Sequence, residues 1–402
     1  MNYKKIELEL KDIYNKYSEN EIKCLEKILD AFHNVKLADT DFYWPTGYGY
    51  SDVGREKIEK IYSYIFKTED ALVRPNLVSG THALFITLNT FLNKGDHLLS
   101  VNGDPYDTLQ KCIGISGNES GNLKSKGVSY DKVNLIDDMN FDIENIISSV
   151  KRNTKMIMVQ RSRGYSFRKA MSIKKIGDMI TKVKKVYPNI IIMVDNCYGE
   201  FVESMEPSEV GADLTVGSLI KNPGGGIALT GGYVVGETKY IEAIANQLTA
   251  PGIGKECGLT FGTSRLTLQG LFNAPHIVCE SLKTATLFSY VFKEKGYTVS
   301  PMPFEERTDI VQILQMNSKE ELLKFCNTIQ SASPVDAHVR LEPWKMPGYD
   351  NDIVMASGSF VQGSSIEISA DAPVIEPFYV YMQGGMSYAH GKIVLNKILN
   401  SL

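Results

Sequence analysis

The chain has 402 residues, 43% apolar and 22% charged, with a net charge of -4. That length exceeds one simple core and implies a large domain with a smaller one beside it. The charge gives no electrostatic reason to expect nucleic acid, and no Lys/Arg run forms a binding stripe. Six scattered cysteines, none in a CxxC pair, offer neither a zinc site nor a disulfide framework and fit a reducing cytoplasm. The start Met1-Asn2-Tyr3-Lys4-Lys5 lacks an apolar leader core, and no later stretch has the length of a membrane helix. The expectation is a cytoplasmic globular protein with no membrane, nucleic-acid or metal partner.

Residues 1–40 carry apolar positions at helical spacing, Ile6, Leu10 and Ile13, then Ile22, Leu25, Ile28, Leu29 and Phe32, and read as two helices. A Gly/Tyr-rich loop follows, from Trp44 to Arg55, and helix resumes over Lys57–Phe66. From about residue 70 to 240, short apolar runs alternate with helical segments. The predicted strands are Ala71–Val73, His97–Val101, Met156–Gln160, Ile190–Asp195, Leu214–Gly217 and Gly232–Val235. Helices are predicted at Thr81–Leu92, Ile143–Val150 and Ile173–Val186. Such alternation predicts an α/β fold, a mostly parallel sheet with helices on both faces, whose ligands bind beyond the carboxyl ends of the strands. Residues 264–296 read as one long helix, followed by a helix at Lys319–Ile329 and a hairpin at Ser357–Ser365. The organisation expected is an N-terminal segment 1–55, a large domain 56–262, a connecting helix 263–299 and a small α+β domain 300–402.

Lys221 is the only charged side chain between Leu214 and Gly236, directly after a strand that reads as buried. Desolvation there should lower its pKa and free a neutral amine, the form that makes a Schiff base with an aldehyde cofactor. A lysine at a strand end can also snorkel to water. Asp195 ends a fully apolar strand, where a carboxylate needs a partner; a protonated pyridine nitrogen would serve, and so would a capping N–H. Ser79-Gly80-Thr81 opens a helix as a phosphate cup or as a plain cap, with Ser218 able to add a hydroxyl. Tyr106 follows a strand exit, where it could stack on a planar ring or simply pack. Tyr48 and Arg55 stand in the loop outside the sheet and could complete a phosphate site in this subunit or a neighbour.

This order, with Thr46–Arg55, Gln160–Tyr165, Val194–Phe201, Ser218–Gly225 and Tyr381–Gly385, resembles the fold-type-I pyridoxal-phosphate enzymes. Within them it is similar to the Cys/Met metabolism group, and to its divergent methionine gamma-lyase-like or aluminium-resistance branch. The matching strings spread over nearly the whole chain. The resemblance implies a mostly parallel seven-stranded sheet with a smaller C-terminal α+β domain, and pyridoxal 5'-phosphate as cofactor. It implies that Lys221 carries the Schiff base, Asp195 pairs with the pyridine nitrogen, and Tyr106 stacks on the ring and assists proton transfer. Ser79, Gly80, Thr81 and Ser218 would hold the phosphate. Tyr48 and Arg55 would reach a partner subunit's phosphate in a homodimer or homotetramer with active sites at the subunit boundary.

The implied activity is a carbon–sulfur lyase acting on a sulfur-containing amino acid, of the methionine gamma-lyase or cystathionine-lyase type. A biosynthetic enzyme doing gamma-replacement, or eliminating a non-sulfur group, is the alternative. A non-catalytic metal-tolerance protein is a third reading, but no His/Cys/carboxylate cluster has ligand spacing. One departure bears on the substrate. The branch it resembles has arginine where this chain has Ile375, so the alpha-carboxylate would fall to Arg163, Arg265 or Arg340, or the substrate differs.

Overall fold

The computed structural model describes residues 2–346, 349 and 351–402. Helices α1 (Tyr3–Glu9) and α2 (Lys11–Asn34) are followed by the Gly/Tyr loop and α3 (Val53–Ile65). Asp52 caps α3, its Oδ1 accepting from the Arg55 N–H at 3.0 Å, and Ile58, Ile61, Tyr62 and Ile65 form the buried stripe.

The large sheet contains β1 (Asp70–Arg74), β2 (His97–Ser100), β3 (Ser129–Lys132), β4 (Thr154–Gln160), β5 (Ile191–Asp195), β6 (Leu214–Ser218) and β7 (Gly232–Gly236). Their spatial order is β1-β7-β6-β5-β4-β2-β3. Pairing is parallel from β3 through β6, while β7 runs antiparallel to both β6 and β1. Helices α4 (Gly80–Phe91), α5 (Asp107–Ile113), α6 (Ile143–Ser149), α7 (Ile173–Val186) and α8 (Thr238–Leu248) flank it. The two-residue period of a strand divides the side chains between two cores. Met193 and Ile191 face the α4/α8 side with Leu84, Leu88 and Ile241. Ile192 and Val194 face the α7 side with Ile176, Met179 and Val183. Strands buried on both faces have continuous apolar sequences, which is why β4, β5 and β6 are legible. β3 was not anticipated: it is an edge strand of mostly exposed polar residues.

Helix α9 (Ser264–Glu294) leaves the large domain and enters the small one. Its first half packs Leu271, Ala274 and Val278 against α2 and α3, and its second half packs Phe288 and Phe292 into the small-domain core. That core lies under an antiparallel sheet of β8 (Val299–Ser300), β9 (Gln312–Gln315), β10 (Ile353–Ala356), β11 (Ser369–Pro373) and β12 (Tyr379–Gln383). The order is β10-β11-β12-β9-β8, covered by α10 (Lys319–Ala332) and α11 (Tyr388–Ser401). The expected hairpin at Ser357–Ser365 lies instead in the irregular connection between the antiparallel neighbours β10 and β11. The 1–55 segment is not a separate unit either. Tyr3 and Ile6 of α1 pack on the small-domain core, and Cys24, Ile28 and Ala31 of α2 lie along α9.

Candidate active site

The carboxyl ends of β2, β4, β5 and β6 share one edge, and most of the predicted site residues leave from it. Tyr106 follows β2, Asp195 ends β5, and Lys221 follows β6 by three residues. Ser79 to Thr81, after β1, open α4 at the same edge. The turn holding Lys221 owes its glycines to close packing rather than flexibility. A Cβ on Gly224 would lie 2.0 Å from the Leu219 carbonyl, and one on Gly270 of α9 would lie 2.2 Å from the Gly224 carbonyl. Asn222, fully buried, donates from Nδ2 to the Glu200 carbonyl at 2.9 Å and fixes the other end of the turn.

Lys221 Nζ stands 3.9 Å from the centroid of the Tyr198 ring. Tyr198 has a left-handed φ of +71°, uncommon outside glycine, and this aims its ring at Lys221. In the sequence Tyr198 stands out only as part of the Val194–Phe201 string, since its positive φ carries no sequence signal. The expectation of a lowered Lys221 pKa is corrected here. Burial does oppose the ammonium, but Cys197, Tyr198, Tyr106 and Asp195 surround it, and together they raise its pKa well above the usual lysine value. Asp195 is raised by burial, which Lys221 and the Cys197 N–H at 3.1 Å partly offset. Tyr106, raised well above 10 by burial and by Asp195, shares a 2.8 Å hydrogen bond with the Thr81 hydroxyl and donates its N–H to Gln160 Oε1 at 2.8 Å.

Ser79 caps α4, its hydroxyl accepting from the His82 N–H at 3.0 Å. At Gly80 a Cβ would lie 3.2 Å from Ser218 Cβ and 3.5 Å from Cys197 Sγ, so helix start, Ser218 and the β5 exit converge on one point. Arg55 and Tyr48 part company. Arg55 is buried, its Nη1 donating to the Gly49 and Gly258 carbonyls at 2.7 and 3.0 Å. In this chain it clamps its own loop instead of projecting outward. Tyr48, 71% exposed and 5.4 Å from Tyr50 centroid to centroid, does project.

A buried polar layer lies behind Asp195. Arg161 Nη1 donates to Asn196 Oδ1 at 2.8 Å and Nη2 to Glu203 Oε2 at 2.8 Å, while Asn196 Nδ2 donates to Glu206 Oε2 at 2.8 Å. Tyr233 donates to Glu200 Oε1 at 2.9 Å. None of these was singled out from sequence, although Arg161, Asn196 and Glu200 stand in the quoted strings. Burial, with Glu206 adding to it, pushes the Glu200 carboxyl up to about 8. A carboxyl with a folded pKa above its unfolded value binds its proton more tightly in the folded state, so stability falls as pH rises from about 4.5 to about 8. Glu200→Gln is therefore expected to match the parent protein near pH 5 and to exceed it at pH 9, by about 1–3 kcal/mol. Parallel melting curves at the two pH values test this; equal pH responses would show that Glu200 stays ionised.

The candidate carboxylate ligands are dispersed. Arg163 is buried, with Nη1 donating to Ser300 Oγ at 3.0 Å and Nε 3.6 Å from Asp309. Arg265 lies at the start of α9, over the Phe42 ring and against Asp39. Arg340 is exposed on the connection after α10. Ile375, 51% exposed, lines a cleft with Tyr165, Tyr349 and Tyr381. The structure thus does not bring the three arginines together with Lys221 and Asp195.

The residues present fit pyridoxal 5'-phosphate. A helix start where a Cβ would press against Ser218, flanked by hydroxyls, suits a phosphate. A buried carboxylate suits a ring N–H, and an amine stands within its field. The seven-stranded sheet with its smaller antiparallel partner is the fold-type-I architecture of pyridoxal-phosphate lyases. The chain belongs to the methionine gamma-lyase family, whose profile matches residues 1–402. It is 44% identical over 398 residues to the uncharacterized protein YnbB of Bacillus subtilis, covering 99% of this chain and 94% of that one. The solved structure of a carbon-sulfur lyase involved in aluminum resistance from Clostridium novyi has a TM-score of 0.94 at 43% identity, covering 99% of this chain and 94% of that one. L-methionine gamma-lyase of Fusobacterium nucleatum is 25% identical over 218 residues, 54% of this chain and 49% of that protein. No helix among the described residues is long and apolar enough to cross a membrane.

Proposed function

We propose that the chain is a pyridoxal-phosphate-dependent carbon–sulfur lyase acting on a sulfur-containing amino acid, of the methionine gamma-lyase or cystathionine-lyase type. The observation that carries this reading is the meeting of Lys221, Asp195 and Tyr106 at the edge where Ser79–Thr81 and Ser218 form an anion cup. When bound, the cofactor supplies an aldehyde and an electron-withdrawing ring that acidifies the substrate Cα–H. Gly80, Thr81 and Ser218 would hold its phosphate, and Asp195 its ring nitrogen. Lys221, an ammonium in the free protein, must lose that proton before its amine can act. Once neutral, it is the base for the Cα proton, and Tyr106 is placed to take up and return protons beside it. The buried layer behind Asp195 excludes water from that carboxylate.

The test is release of a thiol, ammonia and a 2-oxo acid from a panel of sulfur amino acids by the cofactor-loaded protein. Absence of any 2-oxo acid across the panel would remove the lyase reading. Gamma-replacement is the second reading, favoured by Ile375 in the neighbouring cleft where a carboxylate ligand was expected. Its mark is a mass-spectrometric product carrying an added thiol nucleophile. The exposed Tyr48 and Tyr50 loop is the surface we assign to a second copy. A monomer in sedimentation with full cofactor affinity would remove that assignment.

A further inference from the structure

Beyond the Tyr198 ring that Lys221 touches, a cleft of about 310 Å³ has a chemistry that selects a charge. It is lined by five aromatic rings, Tyr165, Phe167, Tyr349, Tyr379 and Tyr381, with Ile375 at its rim. Tyr165 lies 5.9 Å from Tyr349 and 5.2 Å from Tyr381, and Phe167 stacks on Tyr379 at 5.2 Å. The exposed Glu376 carboxylate borders it, Asp107 lines it while engaged in an interaction of its own, and no lysine, arginine or histidine is among its described lining residues. Arg163, on the neighbouring cleft, is occupied by Asp309 and Ser300. The wall is shared with the reactive end. Tyr165, Tyr379 and Tyr381 pack in one cluster with Tyr198, the ring under Lys221 Nζ, and Asp107 adjoins Tyr106 in sequence.

An anionic side chain would face the negative faces of several rings and the Glu376 carboxylate. A cation would meet both favourably, because ring quadrupoles and carboxylates attract the same sign. We infer that this cleft takes an onium group at the far end of the substrate side chain, and that in a carbon–sulfur lyase the group is a sulfonium. The inference rests on the lyase reading for its sulfur and on the cleft alone for its charge. Chemistry agrees with it. Breaking the Cγ–S bond of a sulfonium sends the bonding pair to sulfur, which departs as a neutral thioether. With one water, S-methylmethionine sulfonium gives dimethyl sulfide, 2-oxobutanoate, ammonium and one proton, whereas methionine gives methanethiol without that proton.

The experiment is calorimetric titration of the cofactor-loaded protein with four probes: S-methyl-L-methionine sulfonium, L-methionine, L-lysine and L-2-aminoadipate. The sulfonium is expected to bind about tenfold or more tightly than methionine, the effect of one desolvated cation–π contact. Aminoadipate is expected to bind weakest. Equal or weaker affinity for the sulfonium overturns the proposal, and so does preference for aminoadipate. Lysine binding as tightly as the sulfonium keeps the cationic cleft and removes the sulfonium assignment. Tyr165→Leu should abolish the preference. Because that ring is packed, Ile375→Arg at the exposed rim is the second variant, expected to move the preference toward aminoadipate. Sulfonium binding without release of 2-oxobutanoate would sink the lyase reading and leave the cleft assignment standing.

Discussion

Lys221→Ala is expected to reduce 2-oxo acid release at least about 1000-fold, with little change in melting temperature. Among the described residues, this amine is the nitrogen we assign as both nucleophile and base at this edge. Its loss also removes from Asp195 a cation that opposes the effect of burial, so the pKa of that carboxyl shifts further upward. Lys221→Arg separates the two effects, since it keeps a cation near Asp195 and removes the nucleophile. Both variants should lose the mass gained on borohydride reduction of the loaded protein. Turnover within tenfold of the parent in either variant would sink the assignment of Lys221.

Arg161→Leu is expected to destabilise the protein by about 3–5 kcal/mol, the largest stability effect among these residues. Its guanidinium is completely buried and serves Asn196, Glu203 and Glu206 together. Truncating it strands the buried Glu206 carboxylate and frees Asn196, the residue after Asp195. Activity should therefore fall further than the fraction unfolded explains, read as loss of cofactor affinity at a temperature where the variant is still folded. Arg265→Ala is the control: its ion pair with Asp39 is exposed, and a change within about 0.5 kcal/mol is expected. Urea midpoints for the two variants compare the sites directly. Similar midpoints would show that the buried layer contributes nothing beyond a surface pair.

The sequence made Lys221 visible because burial leaves a charge nothing to hide among: the apolar run of β6 and the glycines after it isolate one ammonium. Asp195 was visible for the same reason at the end of β5. The direction of the Lys221 pKa was not, because the acids that set it arrive from the exits of β2 and β5, more than twenty residues away in sequence. Edge strand β3 escaped because solvent on it erases the apolar alternation that marks a half-buried strand. Arg55 illustrates a different loss. Sequence pairs it with Tyr48 in one loop, yet the Gly49 and Gly258 carbonyls turn its guanidinium inward, and only a folded backbone supplies those acceptors. The aromatic cleft was invisible because its walls come from the β4 exit, the chain before β10, and the turn between β11 and β12.

The contact between Gly224 and Gly270 has a mechanical meaning. Helix α9, with Pro275 between its halves, has its far half embedded in the small-domain core and its near half touching the Lys221 turn backbone to backbone. With no side chain between them to yield, the two backbones form a bearing of fixed clearance. The helix that anchors the small domain, with Tyr381 and Ile375 at the cleft, is thus in direct backbone contact with the turn that holds the amine.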